Sequence, residues 1–268
     1  MTTPHLVELQ DVSTGFGANT VLHGCSYHVA DGEVAAVLGL NGAGKSVSLK
    51  VVAGLLPAWS GTISYRGEDI TKTTVEERVF LGMGHVPQGR QVFPEFTVEQ
   101  NLRLGAYSLR RRERARYRSV IDGIFDRFPV LAERRNQLAG TMSGGQQAMV
   151  AVARGLMSEP RLLVIDEPSA GLSPVAVQEL FETLGKVHAS GVTILLVEQN
   201  VTFSLKLADR VHIMQRGQIV YEGAVAELDT DKVASHLGVG RLLDRSLKPA
   251  TKAAAPAAGS LTTTGGTG

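Results

Sequence analysis

Short apolar runs alternate with longer amphipathic stretches along most of this chain. The runs fall near Val7 to Leu9, Ser26 to Val29, Val34 to Leu38, Thr62 to Tyr65, Met83 to Val86, Leu162 to Ile165 and Thr193 to Val197, and predict strands. Val34 to Leu38 and Leu162 to Ile165 are apolar without a break, as expected of strands covered on both faces of a parallel sheet. Ser26 to Val29 alternates instead, which puts Cys25, Tyr27 and Val29 on one buried face. Helical spacing fills the intervals, beginning with Ser48 to Leu55, and Val211 to Tyr221 predicts a hairpin turning at Arg216-Gly217. Strands separated by helices predict an α/β fold. Beyond Leu243 the periodicity stops and Lys248 to Gly268 is low in complexity, so a folded unit over residues 1–242 is expected to precede a disordered tail over 243–268.

Composition removes several function classes. A chain of 268 residues with 43% hydrophobic content buries a sizeable core, yet no apolar stretch reaches transmembrane length. The start Met-Thr-Thr-Pro-His-Leu lacks the basic, apolar and small-residue sequence of an export signal, so a cytoplasmic location is expected. A formal charge of +1 gives no general attraction to nucleic acid, and the local run Arg110 to Arg116 reads as a solvated helical face, with contact to acidic lipid or to a loop of a membrane partner as the alternative. The single Cys25 has no disulfide partner within the chain and is expected to be a buried strand thiol. None of the seven histidines lies close in sequence to a cluster of other metal ligands.

Two segments carry phosphate chemistry. Gly39-Leu-Asn-Gly-Ala-Gly-Lys-Ser46 follows one apolar run and precedes a helical stretch. Its glycines permit backbone conformations that let the N–H groups of Asn41, Gly42, Ala43, Gly44 and Lys45 curl round a phosphate. The Lys45 ammonium adds a mobile positive charge, the following helix turns its N-terminus toward the same anion, and the Ser46 hydroxyl suits a magnesium ion. Arg161-Leu-Leu-Val-Ile-Asp-Glu-Pro168 is a buried run closed by two carboxylates. Adjacent acids at a strand end point to different sides, so Asp166 is placed to hold magnesium and Glu167 to reach water attacking a γ-phosphate. ATP and Mg2+ are the expected ligands.

A third segment, Thr141-Met-Ser-Gly-Gly-Gln-Gln-Ala148, resembles the signature of ATP-binding cassette ATPases. The resemblance spans roughly residues 5 to 240 and implies a phosphate-loop α/β core with a helical insertion at about 90–158. It implies that Ser143, Gly144, Gly145 and Gln146 meet a γ-phosphate held by another subunit, because one phosphate loop and one signature in a chain make halves of two sites. A head-to-tail dimer that ATP closes and hydrolysis opens would follow. By the same resemblance Phe16 stacks on adenine, and Gln88 meets magnesium and water on a loop that flexes toward membrane permease subunits. Two positions depart from the commonest pattern. Val47 replaces a hydroxyl residue that would donate to the α-phosphate, and Gln199 stands where most cassettes place a switch histidine. Glutamine forms hydrogen bonds but takes no positive charge.

The phrases Val197-Glu-Gln-Asn200, Val86-Pro-Gln-Gly-Arg-Gln-Val-Phe93 and Glu167-Pro-Ser-Ala-Gly-Leu-Ser-Pro174 resemble one of the two ATPase subunits of branched-chain amino-acid uptake systems. The resemblance implies a peripheral position on the inner face of the membrane, with permease subunits, a sister ATPase or a second copy, and an external substrate-binding protein as partners. Related importers of urea or short amides, a low-turnover subunit of an asymmetric pair, and a soluble cassette of repair or translation are the competing classes. The soluble class typically joins two cassettes or inserts a long coiled coil, and no sustained heptad pattern is present here.

Overall fold

A computed structural model describes residues 5–108 and 114–237. The expectations for the tail, the first four residues and the part of the basic run at 109–113 lie outside the described residues. Chain order begins with three strands, β1 (His5–Phe16), β2 (Asn19–Ala30) and β3 (Val34–Leu38), then helix α1 (Lys45–Val52). Strands β4 (Ser60–Tyr65) and β5 (Glu68–Asp69), helix α2 (Val75–Phe80) and strand β6 (Met83–Val86) follow. The helical insertion holds α3 (Val98–Gly105), α4 (Arg114–Arg127), α5 (Pro129–Glu133) and α6 (Gly144–Leu156). The chain continues as β7 (Leu162–Asp166), α7 (Pro174–Ala189), β8 (Thr193–Glu198), α8 (Val201–Leu207), β9 (Arg210–Gln215), β10 (Gln218–Ala224) and α9 (Thr230–Leu237).

The strands form two sheets. One is antiparallel in the order β2-β1-β4-β5; the other runs β10-β9-β3-β8-β7-β6, with β9, β3, β8, β7 and β6 parallel and β10 antiparallel at the edge. Because successive strand residues face opposite ways, each central strand serves two cores. Ala36, Leu38, Leu163, Ile165, Ile194 and Leu196 pack toward α6 and α7 and the helical insertion. Their neighbours Ala35, Val37, Leu162, Val164, Leu195 and Val197 pack toward α1 and the antiparallel sheet. This double covering explains why β3 and β7 read as unbroken apolar runs.

Several boundaries moved. The first strand is longer than Val7 to Leu9 because Asp11, at φ 51°, introduces an irregularity between Leu9 and Val12, and pairing resumes beyond it. Helix α1 begins at Lys45 rather than Ser48, since Lys45 and Ser46 form its first turn. Cys25, Tyr27 and Val29 are all buried, and burial raises the Cys25 thiol pKa to about 12. The absence of a sequence cluster of histidines does not carry into space: His5 stacks on His28 at 3.9 Å between ring centroids, and His28 meets buried His212 edge-on at 6.1 Å. Strand pairing assembles these three from distant positions. No group of three or more ligands that could hold a metal ion is found among the described residues. Nor does any helix there have the length and apolarity to cross a membrane.

Candidate active site

The site sits at the carboxyl ends of β3, β7 and β8, where loops leave a parallel sheet. After β3 the chain turns through the glycine-rich loop into α1. Gly44, the residue capping α1, has φ 105°, a conformation that L side chains rarely adopt. A Cβ at Gly39 would collide with the Met214 carbonyl of β9, so only glycine lets the loop leave the sheet this closely. Phe16, Val21, Asn41, Gly42, Ala43, Gly44, Lys45, Ser46, Val47 and Glu167 line an open cleft of about 330 Å³. Phe16 is 52% exposed at its rim, which sets it apart from core aromatics such as Tyr65.

Within the cleft the charged groups are tied to one another. The buried Lys45 ammonium donates to the Gly39 and Leu40 carbonyls at 3.0 and 3.2 Å and lies 3.7 Å from a Glu167 carboxylate oxygen. Ser46 donates its hydroxyl to Asp166 at 2.7 Å. Burial raises the Asp166 pKa, and the Ser46 hydroxyl acts in the opposite direction. A hydroxyl and a carboxylate oxygen paired beside a glycine-rich loop form the oxygen donor set that magnesium prefers, and the loop offers phosphate its backbone N–H groups. The residues present therefore fit a magnesium–nucleotide complex.

Glu167 is held from both sides. Its Oε2 accepts from the Gln88 amide at 2.8 Å, its Oε1 accepts from the Gln199 amide at 2.9 Å, and its backbone N–H bonds the Val197 carbonyl. The residue has φ 44°, a left-handed backbone uncommon for a non-glycine side chain. Two loops from separate strands, β6 and β8, thus converge on one carboxylate.

Sequence reasoning missed three residues that build this arrangement. Buried Glu198 accepts from the backbone N–H groups of Ser169, Gln199 and Asn200, fixing the turn after Glu167 and the turn after β8 together. An acid closing an apolar strand, as Asp166 does in β7, was the available signal. Arg90 donates to the carbonyls of Ala170 and Gly171, and Arg154 to those of Gln91 and Arg90. Both bind backbone acceptors, which leave no trace in side-chain pattern.

The signature residues lie elsewhere. Ser143 caps α6 by accepting from the Gln146 N–H at 3.3 Å, while the Gln146 side chain accepts from the Ser143 N–H at 3.1 Å. Ser143 is exposed, Gly144 and Gln146 are half-buried, and Gly145 packs against Ala176. None of the four lines the phosphate-loop cleft.

Residues 22–170 match the family model described as ABC transporter. The high-affinity branched-chain amino acid transport ATP-binding protein BraG of Pseudomonas aeruginosa is 41% identical over 226 residues, covering 84% of this chain and 96% of that protein. A probable branched-chain amino acid transport ATP-binding protein LivF of Archaeoglobus fulgidus is 34% identical, covering 81% of this chain and 91% of the relative. Among solved structures, a nucleotide-free ATP-binding cassette from an ABC transporter superposes with a TM-score of 0.79 at 28% identity, over 88% of this chain and 97% of that one. This chain therefore belongs to the ABC transporter family and is one of its ATP-binding, ATP-hydrolysing subunits.

Proposed function

We propose that the chain powers an importer of branched-chain, hydrophobic amino acids. The observation that carries the hydrolytic part is the Glu167 carboxylate gripped by Gln88 and Gln199 beside Lys45. One donor on each oxygen fixes the plane of the carboxylate and leaves remaining lone pairs to take a proton from water attacking the γ-phosphate. Lys45 exchanges its loop carbonyls for phosphate oxygens, and the N–H groups of Asn41 to Val47 hold the remaining phosphates. Val47 contributes only its backbone N–H. Phe16 offers its exposed ring to adenine. Ser46 and Asp166, with Gln88 nearby, would hold magnesium, which neutralises developing phosphate charge when bound.

In this reading residues 1–242 form the nucleotide-binding domain, with its helical subdomain at about 90–158. The exposed start of α6 supplies Ser143 to Gln146 to the nucleotide of a second cassette, either a sister ATPase or a second copy. Closure around ATP and opening after hydrolysis would drive two permease subunits fed by an external binding protein. The chain would sit on the inner membrane face. The cargo assignment rests on the quoted sequence phrases and on the 41% identity to a relative bearing that name.

Uptake of labelled leucine and labelled urea, in cells carrying the native chain or Lys45→Ala at matched protein levels, tests the assignment. Selective loss of leucine uptake is expected. Selective loss of urea uptake would move the chain to the amide importers, and retention of both would refute a role in either. Glu167→Gln should bind ATP and fail to turn it over; normal turnover would remove Glu167 from the base role.

A further inference from the structure

The loop that carries Gln88 is bent into an unusual shape. Gly89, Arg90 and Gln91 have φ of 80°, 66° and 42°, so two consecutive non-glycine residues occupy left-handed backbone. Such a stretch persists only where its surroundings over-determine it. Two arginines do so here. Arg154, on the signature helix α6, donates to the Gln91 carbonyl at 2.8 Å and lies over the Phe93 ring at 5.6 Å. Arg90 reaches the other way, donating to the carbonyls of Ala170 and Gly171 at 3.2 and 3.4 Å, in the turn that follows Glu167. The Arg90 guanidinium also packs against Gly144, the first residue of α6, where a Cβ would stand 2.9 Å from it. Neither arginine has a carboxylate partner among the described residues.

We propose that Arg154 and Arg90 are positioning residues for hydrolysis. They form a strap from the signature helix, through the Gln88 loop, to the turn behind Glu167. Arg154 fixes the loop's backbone, Arg90 fixes its distance from the turn, and together they set the Gln88 amide on the Glu167 carboxylate. A shift of α6 would thereby reach Glu167 through hydrogen bonds rather than through the sheet. The inference rests on the proposed role of Glu167 as base.

The test measures kcat and KM for MgATP with the full chain as native, Arg154→Met, Arg154→Lys and Arg90→Met, each also in a Gln88→Ala background. A residue acting through Gln88 should lower kcat by about tenfold with KM nearly unchanged, and should lose most of that effect once Gln88 is absent. Arg154→Lys, which keeps one donor, should recover part of kcat. Arg90→Met removes the bonds to the Ala170 and Gly171 carbonyls without emptying a core position, and serves if Arg154→Met folds poorly. Full effects persisting in the Gln88→Ala background, or a rise in KM at constant kcat, would overturn the strap. Native turnover by Glu167→Gln would instead overturn the base role beneath it, so the two failures are distinguishable.

Discussion

Replacing Gln199 by alanine removes one of the two amides that orient Glu167. The lost bond is 2.9 Å long and made to a carboxylate that is only 7% exposed, which places it among charge-assisted hydrogen bonds. Gln199 itself is exposed, so water can replace part of what is lost, and the net cost belongs near the low end of the range, about 1–2 kcal/mol. If the cost falls on the transition state, kcat drops about five- to thirty-fold. Nucleotide affinity should hold, because Gln199 does not line the phosphate-loop cleft. Steady-state phosphate release over a range of MgATP separates the two parameters. Gln199→His restores a donor and should return kcat to within about threefold of native, since orientation rather than charge is the function assigned to this residue. An alanine variant with native kcat would refute the orienting role. A histidine variant exceeding native turnover by tenfold or more would show that a positive charge is what the site lacks.

Other perturbations follow from neighbouring geometry. Val47→Thr supplies the missing hydroxyl in nearly the same volume and should tighten ATP binding by about 0.5–1.5 kcal/mol, measurable by calorimetry; unchanged affinity would remove Val47 as a determinant. Arg78 is buried and donates to the Val51, Val52 and Ile70 carbonyls at 2.6 to 2.7 Å, so Arg78→Met should cost about 3 kcal/mol or more in chemical denaturation. A cost below about 1 kcal/mol would mean the carbonyls at the end of α1 find other donors. Burial lowers the pKa of His212 to about 3 and that of His85 to about 4. Between those values and the ordinary value near 6.5 the unfolded chain binds protons that the folded chain rejects, so stability falls on acidification. His212 alone should account for about 2 kcal/mol between pH 7 and 5, and His212→Leu should flatten the slope of denaturation midpoint against pH. An unchanged slope would contradict the assignment.

Much of this was legible in the sequence where local pattern and tertiary environment agree. Val34 to Leu38 and Met83 to Val86 match β3 and β6 in extent, and for β3 the reason is that a strand covered on both faces needs apolar residues at every position. The phosphate-loop residues and the two acids were readable because their chemistry depends on fixed local spacing. Gln88 and Gln199 were placed by family resemblance, whereas their shared hold on Glu167 required the fold to bring β6 and β8 to either side of β7. The histidine cluster was invisible for a related reason: His5 and His28 meet through the β1–β2 ladder, while His212 arrives on a different sheet. Asp11 hid the full length of β1 by interrupting its alternation with a left-handed residue.

Glu198 grips position 199 by its main-chain N–H and leaves the side chain unconstrained by that contact. The address of the residue facing Glu167 is therefore written independently of its occupant. Substituting one occupant for another alters the chemistry delivered to the carboxylate without redrawing the turn that delivers it. An imidazole and an amide can therefore trade places there, each presenting a donor to the same carboxylate, while the architecture around them stays as it is.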